Sequence, residues 1–188
     1  MSSEELSEVP LKLATRLLHP KPAIIVISSD SSGRINGMTA AWITPIARSP
    51  PTVGFSIAPQ RYTYELIKES KEFTLNVVDA DRVNQVHLLG TVSGRNRDKL
   101  KESGLTLIAS KNVKPPRIKE ALAALECKIK NELEIGDRIF IIAEVVAAYA
   151  RKGLFTEVYD PEKARILMHL GGANYTTITN QLIKPKEK

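Results

Sequence analysis

Short β-branched runs, each cut off by turn residues or proline and never alternating regularly with helices, govern what this 188-residue chain can become. Ala23 to Ser29 ends in the turn former Asp30-Ser31-Ser32-Gly33, and Ile35 to Ile43 resumes as a strand, which predicts a hairpin. Pro45, Pro50 and Pro51 exclude a helix before a third strand at Thr52 to Ile57. Thr63 to Ser70 reads as a short helix and Glu72 to Val78 as a strand. Asp81 to Gly90 and Arg97 to Ser103 read as helices, the second stopped by Gly104. Leu105 to Ile108 is a short strand and Lys114 to Arg117 a proline-containing loop. Two long apolar runs, Ala121 to Leu133 and Asp137 to Tyr149, flank Ile135 and Gly136 with partial period-two spacing, which predicts a long hairpin. A short strand at Ile166 to His169 follows a loop at Asp160 and Pro161, and the lysine-rich end reads as loose. This pattern predicts a mainly β fold, an antiparallel β-barrel with peripheral helices. A dinucleotide-binding doubly wound sheet is excluded, because no Gly-x-Gly-x-x-Gly follows a strand and Gly171-Gly172 comes too late to open a βαβ unit.

Hydrophobic residues at 43% and charged residues at 26% suit a soluble folded chain with one substantial core, so residues 1–188 are expected to form a single domain. The longest apolar stretch, Ile139 to Ala150, is broken by Glu144 and falls short of the roughly 20 residues a membrane span needs. Ser2, Ser3, Glu4 and Glu5 lack the basic start and apolar middle of a secretory signal, so a cytoplasmic location is expected. Cys127 is the only cysteine and is expected to be a packed thiol. His19, His87 and His169 lie far apart with no H-x-x-x-H spacing, so no metal site is expected. The net charge of +6 is concentrated in Gly94 to Lys130, which holds ten Lys or Arg against four Asp or Glu. Such a stretch suits a phosphorylated ligand, and it leaves open a basic nucleic-acid-binding module. The aromatic residues are not interleaved with the cations, so nucleic acid is the less favoured partner.

Three clusters carry chemistry. In Asn36-Gly37-Met38-Thr39-Ala40-Ala41-Trp42, small and polar residues occupy a core strand, which lets a flat ring approach the backbone; a plain hairpin strand gives the same pattern. Ser56-Ile57-Ala58-Pro59-Gln60-Arg61-Tyr62-Thr63 runs from strand into helix. Its unpaired helix-start N–H groups, Arg61 and the Thr63 hydroxyl can cradle a phosphate, or Thr63 can simply cap the helix. Ser93-Gly94-Arg95-Asn96-Arg97-Asp98-Lys99 places cations before a helix, as a phosphate grip or as a solvated face.

In their order these clusters resemble the flavin reductase-like family of FMN-binding split barrels, over roughly Leu18 to Tyr175. The resemblance rests on Pro22-Ala23-Ile24-Ile25-Val26, Asn36-Gly37-Met38-Thr39, Pro50-Pro51 and Arg61-Tyr62-Thr63-Tyr64-Glu65-Leu66-Ile67. It continues through Ser93-Gly94-Arg95 with Asp98-Lys99, Gly136-Asp137, and His169-Leu170-Gly171-Gly172 with Tyr175. It implies a Greek-key split barrel in which Met38, Thr39, Ala40, Ala41 and Trp42 border the isoalloxazine. Ser56, Ile57, Ala58, Pro59, Gln60, Arg61 and Thr63 would hold the ribityl chain and phosphate, and Ser93, Gly94, Arg95 and Lys99 would close the site. It further implies a homodimer and FMN as cofactor, with FAD as the alternative. Hydride would come from NADH or NADPH, and electrons would pass on to free flavin, ferric complexes, a monooxygenase or another redox protein. The cofactor carries that chemistry, so no side-chain acid or base is assigned. Many family members have Gly-Asp-His where this chain reads Gly136-Asp137-Arg138, so Arg138 is either a substrate-side candidate that meets a phosphate of the donor or substrate, or an exposed strand residue. His169, before the Gly171-Gly172 turn, is a second substrate-side candidate or a structural histidine.

Overall fold

The computed structural model describes residues 6–185; the N-terminal Ser2 to Glu5 and the last three residues of the lysine-rich end lie outside that range. A 3-10 helix, Leu11–Leu18, precedes β1 (Lys21–Pro22), β2 (Ile24–Ser29), β3 (Ile35–Ala40), β4 (Ile43–Arg48), β5 (Pro51–Ile57), α1 (Tyr62–Ser70) and β6 (Glu72–Val77). After a short 3-10 turn come α2 (Val83–Thr91), α3 (Lys99–Ser103), β7 (Leu107–Ile108), β8 (Arg117–Ile118), β9 (Ala123–Ile135), β10 (Arg138–Ala150), β11 (Leu167–Gly171) and β12 (Asn174–Thr177).

The main sheet has seven strands, all antiparallel, in the order β3-β2-β6-β9-β10-β5-β4. β3 and β4 are its two edges, yet only Ala41 and Trp42 connect them. Three Cα steps reach at most about 11 Å, whereas the edges of a flat seven-stranded sheet would lie about 29 Å apart. The sheet must therefore curl until its edges nearly meet, giving a barrel split between β3 and β4. β5, β6, β9 and β10 are successive strands of this sheet but lie as β6-β9-β10-β5, which is Greek-key order. Register shifts at Ile142/Ala143 and Val145/Ala147 bend the long β9–β10 hairpin around the barrel.

Both faces of the sheet are covered. Val26, Met38, Phe55, Phe73 and Ile141 fill the barrel, while Ile25, Ile27, Val86, Leu89 and Leu100 form a second core under α2 and α3. That double burial is why β2 reads as an unbroken apolar run rather than an alternating one. Cys127 is fully buried, and burial pushes its thiol up to about 12, so it packs and does not react. No helix among the described residues is long and apolar enough to cross a membrane.

Several sequence expectations need correction. The Pro45 to Pro51 stretch, whose prolines argue only against a helix, holds most of β4 (Ile43–Arg48) and the first residue of β5; β4 tolerates Pro45 because it is an edge strand with a register shift there. The run Ile35 to Ile43 breaks at Ala41 and Trp42, and α3 begins at Lys99, capped by the Asp98 carboxylate, which accepts from the Lys101 N–H at 3.1 Å. β12 and the 3-10 helix have no counterpart in the sequence reading. The basic stretch does not form one cationic face: Arg95, Arg97, Arg117, Lys128 and Lys130 pair with Glu65, Glu102, Glu126, Glu72 and Glu144.

Candidate functional site

Where β3 crosses to β4, the gap between the sheet edges opens into a cavity of about 420 Å³, within the usual size of small-molecule sites. Met38, Thr39, Ala40, Ala41 and Trp42 line it together with Ser56 and Ile57 from the end of β5 and Ala58 and Arg61 from the β5–α1 connection. The Ser56 N–H donates to the Trp42 carbonyl at 3.0 Å and so pins the crossing to β5. Pleating sends the β3 side chains to opposite sides: Met38 and Ala40 belong to the barrel core, while the Thr39 hydroxyl donates to the Val86 carbonyl of α2 at 2.6 Å. Thr39 therefore anchors a helix with its hydroxyl. Trp42 is 40% exposed, and the Arg138 guanidinium carbon sits 5.3 Å from the centre of its ring.

A second cavity, of about 250 Å³, adjoins the first through shared Met38 and Arg61. Asn36, Gln60, Thr63, Ser93, Gly94, Arg95 and Lys99 also line it. Thr63 does not cap α1; Arg61 occupies the N-cap position, and no side chain caps the helix there. The buried Thr63 hydroxyl oxygen accepts from Asn36 Nδ2 at 2.7 Å, which leaves its own proton to donate. Lys99, 4% exposed, donates to the Leu89 and Val92 carbonyls, both at 2.8 Å, and keeps a third proton. Burial, and secondly the nearby Arg61 charge, bring its ammonium down to about 8. Arg95 is engaged already, pairing with the Glu65 carboxylate and donating to the Gln60 carbonyl at 3.0 Å. A Cβ on Gly94 would lie 2.0 Å from Asn36 Oδ1, so only glycine lets this loop rest against the Asn36–Thr63 pair.

Neither cavity is lined by a carboxylate. Among the described residues the Arg61 side chain has no hydrogen-bonded or ionic partner, and with Lys99 it forms a cationic pair without a counter-ion. That is the electrostatic form of an anion site.

The structure brings most of the three sequence clusters to these adjoining cavities; Gly37, Pro59, Asn96, Arg97 and Asp98 line neither, Pro59 lying in the exposed turn before α1. Arg138 and His169 do line the first cavity. His169 Nε2 lies 3.1 Å from the Gly172 carbonyl, its Nδ1 is buried without a partner, and its carbonyl accepts from His19 Nδ1 at 2.8 Å. Gly172, at φ +58, makes the β11–β12 turn that holds this ring. Sequence reasoning missed Lys12, Thr15, Arg16 and His19, which line the same cavity from the 3-10 helix and the residue after it. Their three- and four-residue spacing was the available signal.

A split antiparallel barrel with a cationic pocket beside its split is the class of protein that this fold and site define. The chain belongs to the flavin reductase like domain family, whose model matches residues 16–173. It is 33% identical over 169 residues to an uncharacterized protein of Pyrococcus abyssi, covering 90% of this chain and 96% of that one. It is 27% identical over 135 residues, 72% of this chain and 69% of the other, to the reductase component of the 4-nitrophenol 4-monooxygenase/4-nitrocatechol 2-monooxygenase of Rhodococcus opacus. Its fold matches the crystal structure of an FMN-binding protein from Thermus thermophilus with bound 1-cyclohex-2-enone. That match has a TM-score of 0.84 at 24% identity and covers 98% and 99% of the two chains.

Proposed function

We propose that this protein binds FMN non-covalently at the split and works as a flavin reductase-like oxidoreductase. NADH or NADPH would be the donor; free flavin, a ferric complex or a partner such as a monooxygenase would be the acceptor. The observation that carries the reading is the uncompensated pair Arg61 and Lys99 opening directly onto a cleft walled by Met38, Ala40, Ala41 and Ile57. A flat ring with a phosphate tail matches both halves at once. When bound, FMN supplies the two-electron chemistry.

The chain's own groups would do the holding. Arg61 gives the phosphate a two-pronged donor, the Thr63 hydroxyl and the third Lys99 proton add donors, and Gly94 lets the Ser93–Gly94 backbone come close. The slim β3–β4 crossing at Ala40 and Ala41 leaves room for the ring. No residue is asked to transfer a proton. A homodimer forms part of the same proposal: the 3-10 helix buries none of its residues, and Leu11, Leu17 and Leu18 stay exposed, as do Leu133 and Ile135 at the tip of the long hairpin.

One preparation tests this reading. Protein purified from cells should show a flavin visible spectrum or take up added FMN, and should elute at the mass of two chains. It should then oxidise NADH or NADPH when FMN or a ferric complex is present. Failure to bind FMN would remove the whole proposal. FMN binding without oxidation of either nicotinamide would make the protein an electron carrier fed by another redox protein, a role that the Arg138 substitution leaves open.

Lys99 gives the binding a pH signature. In the ligand-free protein its ammonium titrates at about 8, and a bound phosphate raises that value by offering a counter-charge. FMN affinity should therefore hold steady from neutral pH to just below that value and weaken as Lys99 loses its proton above it. Riboflavin affinity should stay flat over the same interval. Fluorescence titrations at stepped pH read this directly, and parallel curves for the two ligands would show that Lys99 does not meet the phosphate.

A further inference from the structure

The first cavity holds more positive charge than one phosphate can use. Lys12, Arg16, Arg61 and Arg138 line it with two histidines and no acid. Arg61 alone is shared with the second cavity and is spoken for by the cofactor reading, on which this inference rests. Three cations are left over. Lys12 and Arg16 come from the 3-10 helix, and their side chains have no hydrogen-bonded or ionic partner among the described residues. Arg16 leans over β11, with Nη1 3.5 Å from the position a Cβ on Gly171 would take. Arg138 comes from the opening residue of β10. It stacks over Trp42, and its Nε is buried without a hydrogen bond although the exposed Asp137 carboxylate lies 3.4 Å away. Two separate elements thus aim cations at one cleft, next to a buried His169 Nδ1 that also lacks a partner.

Like charges gathered in a partly desolvated cleft repel one another, and an oxyanion removes that cost while gaining charge-assisted bonds. We propose that the small molecule sharing this cavity with the flavin ring is an oxyanion, held by Lys12, Arg16 and Arg138. A carboxylate on a small acceptor and the pyrophosphate of a dinucleotide donor present the same chemistry, and the test separates them.

FMN-loaded protein, whose Arg61 pocket is filled, is titrated by calorimetry with inorganic pyrophosphate and separately with benzoate. At least one should bind at a single site, and its dissociation constant should rise by about tenfold or more in Arg16→Gln and in Arg138→Gln, as expected when one charge-assisted bond is removed. In Arg48→Gln, at the far end of edge strand β4, it should stay within about twofold of the parent, as expected for an exposed charge outside the site. Pyrophosphate binding alone assigns the site to a phosphorylated donor, and stronger benzoate binding assigns it to a carboxylated acceptor. The proposal is overturned if neither anion binds the loaded protein, if the two site variants bind as the parent does, or if Arg48→Gln weakens binding equally. Should FMN itself fail to bind, the functional reading falls, and the same titrations on ligand-free protein still decide whether these three cations hold an anion.

Discussion

Arg61→Ala should raise the dissociation constant for FMN by about 10- to 150-fold and leave that for riboflavin within about threefold. The figure follows from the bond that alanine cannot make: a charge-assisted hydrogen bond contributes about 1.5–3 kcal/mol, and each 1.4 kcal/mol is tenfold. Riboflavin has no phosphate, so the substitution removes only what the guanidinium stem touches. The substitution is a clean one. Arg61 is exposed, its side chain has no partner among the described residues, and it enters α1 through its backbone carbonyl, which still accepts from the Tyr64 and Glu65 N–H groups. Unfolding curves should therefore coincide with those of the parent. Lys99→Met should be less selective, because Lys99 also ties the Leu89 and Val92 carbonyls together beneath the loop. Equal weakening of both flavins by Arg61→Ala would mean that the phosphate lies elsewhere and would leave the cationic pair without its assigned partner.

How far such a site can be read from sequence depends on what brings its parts together. Strands that bury apolar side chains on both faces, such as β2, announce themselves as β-branched runs. α1 is bounded by Arg61 at its start and by Lys71 in a left-handed turn at its end, and its existence and length are legible in the residues alone. β4 is not, because only the sheet order shows that the strand holding Pro45 is an edge whose outer N–H groups need no partner. The same sheet order hides the site. Nothing local in Ala40-Ala41-Trp42-Ile43 says that the residues on either side belong to opposite edges of one sheet; only closure of the barrel makes this two-residue crossing a wall of the cleft. The N-terminal helix escapes for another reason. Its leucines face away from the chain's own core, so the pattern has no interior to point to, and Lys12 and Arg16 go unnoticed with it. Lys99 reads as part of a phosphate grip or of a solvated face, and nothing local says that it is buried where the Leu89 and Val92 carbonyls can take its protons, a partnership made by tertiary packing alone.

Glu126→Ala should produce the largest loss of stability of any single polar substitution away from the cleft, about 3 kcal/mol. Glu126 sits in β9, fully buried, with its carboxylate turned toward the loop that joins β7 to β8. It accepts from the backbone N–H of Lys111 at 3.0 Å, and from the N–H and Nδ2 of Asn112 at 2.7 and 3.0 Å. Arg117, whose guanidinium stacks 3.9 Å from the centre of the Tyr149 ring, lies 3.3 Å from it. Truncation to alanine strands these donors and the arginine charge together, which is why the expected cost exceeds that of one hydrogen bond. At roughly 2–4 °C per kcal/mol for a chain of this size, the thermal midpoint should fall by about 6–12 °C. Burial works to raise the Glu126 pKa, but the Lys111 and Asn112 donors overcome it and hold the carboxyl below its ordinary value. A carboxyl depressed in this way stabilises fully above the unfolded-state pKa and loses its contribution as pH falls through the lower folded value. Glu126→Gln keeps an acceptor and most of the packing, so it should cost less at neutral pH and should flatten the acid limb of the stability profile. Denaturant melts at stepped pH check both halves. An alanine variant within about 1 kcal/mol of the parent, the worth of one ordinary hydrogen bond, would mean that water replaces the carboxylate and that the loop is held by other contacts.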